Sequence, residues 1–133
     1  IIHGSGSILL VDDEEFLRSI GQTILESLGY KVTLASDGME AIEIVANAPE
    51  FDLIILDMIM PKMGGKETLV TLKKMQPSCK IIVSSGFAKE NDLSEMEHLD
   101  ICGFLRKPFR MAEFSQAVAS ALSKNSATKK ITN

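Results

Sequence analysis

Ile8-Leu9-Leu10-Val11-Asp12-Asp13-Glu14-Glu15 is the stretch on which the fold turns, because four apolar residues run straight into four acids. A run that short, rich in branched side chains, reads as a strand buried on both faces. Beyond the acids the period changes. Phe16, Leu17, Ile20, Ile24, Leu25 and Leu28 recur at spacings of three and four, which marks an amphipathic helix with these residues on its inner face. Gly29 then ends it as a left-handed cap. Strand, acidic turn and helix form one unit.

The same unit returns along the chain. Val32-Thr33-Leu34-Ala35, Leu53-Ile54-Ile55-Leu56, Ile81-Ile82-Val83 and the weaker run 101–105 read as further strands. Residues 37–48 read as a helix with Ile42, Val45 and Ala46 inside and Pro49 as its stop. Leu69, Val70, Leu72 and Met75 mark a third helix that ends before Pro77. The stretch 91–98 is polar and weakly periodic, and it reads as a fourth. The last, 110–123, carries Phe114, Val118, Ala121 and Leu122 on one side. Five strand–helix units predict an α/β fold, a doubly wound parallel sheet between two layers of helices. Right-handed crossovers leave few strand orders, of which 2-1-3-4-5 is one, and its ligand site lies at the carboxyl ends of the strands.

Bulk properties narrow the class. The 133 residues suit one domain with a real core, and 45% hydrophobic with 24% charged residues is ordinary for a globular chain. A net charge of −4 argues against a nucleic-acid reader. No apolar stretch reaches membrane-spanning length, and no signal peptide is recognisable. Residues 1–6 lack an initiator methionine and read as a cloning scar or a cut boundary, 7–123 as the domain, and 124–133 as a flexible polar tail. Cys79 and Cys102 have neither metal-site spacing nor a disulfide framework, so a reducing, cytoplasmic setting is expected.

The strand ends carry the chemistry. The first strand meets Asp12-Asp13, the third ends at Asp57, the fourth at Ser84-Ser85 and the fifth at Lys107-Pro108. In a doubly wound sheet these ends share an edge. Crowded carboxylates repel, and a hard divalent cation such as magnesium (or manganese) resolves the conflict. Asp13 and Asp57 are candidate ligands, with Asp12 holding a metal-bound water and the Ile59 carbonyl completing the set. A plainer reading of Asp12-Asp13 is helix capping. It leaves Asp57 unexplained, since that residue stands between Leu53-Ile54-Ile55-Leu56 and the apolar Met58-Ile59-Met60-Pro61. A carboxylate there can attack phosphorus to give an acyl phosphate. Lys107, held extended by Pro108, can pair with Asp57 and then with a phosphoryl oxygen. The Ser85 hydroxyl can donate to such an oxygen, and Gly86 permits close approach. Singly, Lys107 reads equally well as a surface lysine and Ser85 as a turn residue. Their joint placement is the signal.

The motif-bearing stretches Leu9-Leu10-Val11-Asp12-Asp13-Glu14, Leu56-Asp57-Met58-Ile59-Met60-Pro61, Ser84-Ser85-Gly86-Phe87 and Lys107-Pro108-Phe109 resemble the receiver domains of bacterial two-component response regulators. The resemblance implies the flavodoxin-like 2-1-3-4-5 fold. It implies phosphorylation of Asp57 by a histidine kinase or histidine phosphotransfer domain, with magnesium at Asp12, Asp13 and Asp57. Ser85 matches the switch hydroxyl and Phe104 the switch aromatic. The face of the fourth helix, fifth strand and fifth helix then changes partners, either a downstream output protein or a second copy of the chain. Ser and Phe stand where Thr and Tyr are commoner. The Ser-Ser-Gly-Phe stretch is similar to receivers attached to hybrid sensor kinases.

Ile59 and Phe87 flank the site, are apolar, and offer no group to orient an attacking water, so slow to moderate phosphate loss is expected. Three rivals stand beside this reading. An aspartate-nucleophile phosphatase would want a second acid where Ile59 stands. A flavodoxin-like cofactor binder would want a hydroxyl- and glycine-rich loop where the acids stand, which instead repel phosphate. A degenerate receiver would bind partners without phosphorylation.

Overall fold

The computed structural model describes residues 1–47, 50–58, 60, 63–86 and 100–123. The chain alternates β1 (Ser7–Val11), α1 (Glu15–Leu28), β2 (Lys31–Ala35), α2 (Gly38–Asn47), β3 (Leu53–Asp57), α3 (Gly65–Met75), β4 (Ile81–Ser85), β5 (Gly103–Arg106) and α4 (Met111–Ser123). The strands form one parallel sheet in the order β2-β1-β3-β4-β5. Strand order reverses at β1, so the crevice beyond β1 and β3 is the switch point of the doubly wound topology.

Alternate residues of each strand feed two cores. Leu9, Val11, Ile54, Leu56, Ile81 and Val83 pack under α2 and α3 through Ala41, Val45, Leu69 and Leu72. Ile8, Leu10, Ile55, Ile82 and Leu105 pack under α1 and α4 through Leu25, Leu28, Phe114 and Val118. Each fully buried Leu or Ile contributes about 2 kcal/mol, so the register is firmly held. A one-residue slip of β3 would draw Asp57 into the apolar interior, where an unpaired carboxylate is costly. At its foot α1 closes as expected: Gly29 has φ 111°, its N–H donates to the Glu26 carbonyl, and the Tyr30 N–H donates to that of Leu25.

Several expectations need correcting. β2 and β5 are not buried on both faces: as edge strands they have one neighbour each, and Lys31, Thr33 and Arg106 are exposed. β5 starts at Gly103, because Ile101 lies before the ladder begins. Phe16 is 74% exposed, in the first turn of α1. Ala46 is exposed, and Ala41 takes the inner place on α2 instead. Val70 and Met75 are exposed on α3, where Thr68 is buried. The expected helix at 91–98, the stop at Pro49 and the tail 124–133 lie outside the described residues.

Candidate functional site

Register brings the acids together before any side chain is placed. Val11 pairs with Leu56, so Asp12 and Asp57 come next side by side, about 5 Å apart as neighbouring strands are. Asp57 in turn pairs with Ser84, and Ser85 with Arg106, one residue before Lys107. The Asp12 N–H donates to the Ala35 carbonyl at 3.1 Å, and the Lys107 N–H donates to the Ser85 carbonyl at 3.0 Å. Ladder hydrogen bonds thus carry both residues one step past their strands.

The side chains then converge. Asp12 is 1% exposed and Asp57 3%. The Lys107 ammonium lies 2.7 Å from Asp12 Oδ2 and 3.3 Å from Asp57 Oδ2. Burial alone would lower the Lys107 pKa, but its hydrogen bond to Asp12 and the two carboxylate charges outweigh it, and the pKa rises above the ordinary 10.5. The lysine is therefore a firmly charged group inside the site. Asp13 is exposed, yet carboxylate oxygens of Asp12, Asp13 and Asp57 all fall within 4.8 Å of one another. Three ionised carboxylates against one ammonium leave two negative charges over. An all-oxygen set with that deficit fits a hard divalent cation.

Other expected residues take clear positions. Ser84 and Ser85 are both buried at the end of β4. Val83 pairs with Phe104, and Ser85 lies two residues beyond Val83, so Ser85 and Phe104 share one face of the sheet. Phe104 is half-buried against the α2–α3 core. The Lys107–Pro108 peptide is cis. The Ile59 carbonyl and Phe87, both expected beside the site, lie outside the described residues. The capping reading of Asp12-Asp13 does not hold: the N-cap of α1 is Glu14, with no side-chain cap hydrogen bond. Asp12 Oδ1 instead accepts the Glu14 N–H at 2.9 Å in a turn ahead of the helix, while Oδ2 meets Lys107.

Two contributors were not anticipated. Gly65 N–H donates to the Met58 carbonyl, and a Cβ at Gly65 would come within 2.5 Å of Met58 Cα and 2.6 Å of the Asp57 carbonyl oxygen. Only glycine lets α3 seat its first turn against the chain leaving Asp57. The Gly64-Gly65 pair was the available signal. Among the described residues, a Cβ at Gly86 would meet Lys107 Cβ at 3.8 Å, an ordinary contact. The second contributor is Arg18, whose Nη1 donates to the Asp12 carbonyl at 2.6 Å. Nothing in the spacing announces a contact across six residues into a turn.

Residues 8–119 match the family model described as the response regulator receiver domain. Against the sensor kinase CckA of Brucella abortus (strain 2308) the chain is 36% identical over 124 residues, which are 92% of this chain and 13% of that protein. The chain therefore spans a small part of that relative's length. The receiver domain of a sensor histidine kinase from Pseudomonas aeruginosa PAO1, with a magnesium ion coordinated in its active-site cleft, superposes with a TM-score of 0.82 at 25% identity, covering 91% of this chain and 100% of that one. A chain of the CheX–CheY–BeF3–Mg complex from Borrelia burgdorferi gives a TM-score of 0.83 at 30% identity, covering 89% and 90%.

Proposed function

The chain belongs to the response regulator receiver domain family of two-component signalling, and on that premise we propose that Asp57 is its phosphoacceptor. The carrying observation is the Lys107 ammonium buried between Asp12 and Asp57 at the carboxyl edge of the sheet. The receiver unit spans 7–123. The donor is a phosphohistidine on a histidine kinase or a histidine phosphotransfer domain. An Asp57 carboxylate oxygen attacks phosphorus, the phosphorus–nitrogen bond breaks, and the imidazole leaves with the electron pair and takes up a proton. Lys107 moves its charge from Asp57 to a phosphoryl oxygen, and the Ser85 hydroxyl donates to another. Asp13 and Asp57, with the Ile59 carbonyl, would hold magnesium (or manganese), and Asp12 would hold it through a water. When bound, the cation would supply positive charge against the phosphoryl oxygens.

Displacement of Ser85 toward the phosphoryl group opens space for Phe104 on the shared face. The surface to which β5 and α4 contribute then presents a new shape to an output domain, an output protein or a second copy. Ile59 and Phe87 are apolar and offer no group to orient an attacking water, so the domain dephosphorylates itself slowly and turns over no substrate. The likeness to a sensor kinase supports an origin in a hybrid kinase, working in the cytoplasm. No helix among the described residues is long and apolar enough to cross a membrane.

The test is beryllofluoride binding, with and without magnesium, followed by two-dimensional amide NMR on the wild type and on Asp57→Asn. Magnesium-dependent shifts at Asp57, Ser85 and Phe104 that vanish in the variant are expected. A folded wild type with no shifts would move the assignment to a receiver that works without phosphate.

A further inference from the structure

Arg18 is the only cation on α1, and it stands just beyond four consecutive acids, Asp12 to Glu15. Helical side chains lean toward the helix N-terminus, so a long one in the first turn overhangs the turn before it. Arg18 does this. Its backbone N–H donates to the Glu14 carbonyl at 2.9 Å, and its Nη1 reaches past to the Asp12 carbonyl at 2.6 Å. Among the described residues the guanidinium is bonded to this main-chain oxygen rather than to any of the neighbouring carboxylates.

That oxygen belongs to the peptide that leads into Asp13. Asp12 is fixed at its N–H by the Ala35 carbonyl, at Oδ1 by the Glu14 N–H and at Oδ2 by Lys107. The turn closed by the Glu14 N–H on Oδ1 already restrains the Asp12–Asp13 peptide, whose orientation sets the direction in which Asp13 leaves the chain. A charge-assisted hydrogen bond on the Asp12 carbonyl adds a second restraint on that plane, from the helix side. Asp13 is the exposed member of the acid cluster, so its own burial does little to hold it. We infer that Arg18 is a positioning residue for the divalent cation, which through the Asp12 carbonyl aims Asp13 at the site shared with Asp12 and Asp57. This rests on the receiver reading above.

Charge and position predict opposite signs for the loss of Arg18. Removing a cation near a cation site would, by Coulomb's law alone, tighten magnesium binding. Removing the peptide clamp loosens it, and groups that orient a metal ligand typically change affinity about tenfold or more. The experiment is a magnesium titration followed by amide NMR, on wild type, Arg18→Met, Arg18→Lys and Asp13→Asn. Arg18→Met keeps the apolar stem and loses the donor, so it is expected to raise the magnesium Kd about tenfold. Arg18→Lys keeps a charged donor and is expected to recover most of that loss. The Kd is read on folded protein, so a simple loss of stability would not move it, and Arg18→Gln serves if the Met variant does not fold. An unchanged or lower Kd in Arg18→Met, with binding lost in Asp13→Asn, overturns the inference and leaves the receiver reading intact. A wild type that binds no magnesium overturns both.

Discussion

β3 has an aspartate at each end, and the two do different work. Asp52, at the amino end, is exposed, and its Oδ2 accepts the Ser7 N–H at 2.8 Å. It ties β1 to β3 where the sheet begins. Asp57, one strand length on, is buried beside an ammonium and two further carboxylates. Each end also has a lysine. Lys80 Nζ donates to the Leu122 carbonyl at 3.0 Å and closes the last turn of α4, whereas Lys107 faces Asp12 and Asp57. One edge uses its charged residues to pin main-chain atoms. The other gathers them out of water, where they attract strongly and have no solvent to fall back on. The same residue types are structural at one edge and reactive at the other, and burial with the neighbours decides which.

The largest expected effect breaks this contrast at the reacting atom. Incubated with a small-molecule phosphoryl donor and magnesium, the wild type should gain one phosphoryl group by intact mass, and Asp57→Asn none. Asp52→Asn should gain it at a rate within about twofold of wild type, since loss of an exposed hydrogen bond costs about 1 kcal/mol of stability or less. Equal loss in both variants would show that the two ends are not functionally separate.

The next effect is on stability. Lys107→Met leaves two buried carboxylates without their cation, which should cost about 3 kcal/mol in urea denaturation without metal, and less with magnesium. Lys80→Met should cost about 1 kcal/mol at most and show no magnesium dependence. A magnesium-insensitive Lys107→Met would argue that the lysine does not share its site with the cation.

The smallest effect is in the pH dependence. Hydrogen bonding and charge from Asp12 and Asp57 outweigh burial and raise Lys107 above its unfolded 10.5. That stabilising contribution is complete below 10.5 and is lost as pH climbs through the raised value. Burial raises Tyr30 above its ordinary 10.0 in the same sense. The urea midpoint should therefore fall on the alkaline side, and Lys107→Met should lose part of that fall while Lys80→Met keeps it. Burial pushes the Cys79 thiol up as well, so identical alkaline limbs in the wild type and Lys107→Met would assign the whole effect to Tyr30 and Cys79.

Hydrophobic period made much of this legible in advance. The runs beginning at Ile8, Leu53 and Ile81 mark the three central strands, because a strand buried on both faces needs apolar residues without alternation. The same rule misled at β2, where Val32 and Leu34 alternate with exposed residues as befits an edge. Phe16 misled as well: it fits the helical period of α1 yet stands exposed in the helix's first turn. Asp12, Asp57 and Lys107 were legible because acids and a lysine at the ends of apolar runs are conspicuous. Gly65 and Arg18 were not, since both act on main-chain atoms, and a main-chain partner leaves no mark on the partner's residue type.

The sequence by itself determined the alternation of strands and helices, and which reactive groups stand at strand ends, because both arise from local period and residue type. Tertiary structure alone decided that Lys107 reaches across β4 to Asp57 and Asp12, that Asp13 stays exposed while its neighbours are buried, and that Arg18 turns back on the Asp12 carbonyl. Those outcomes depend on strand order, register and the exclusion of water, which arise only when residues distant in the chain are brought together.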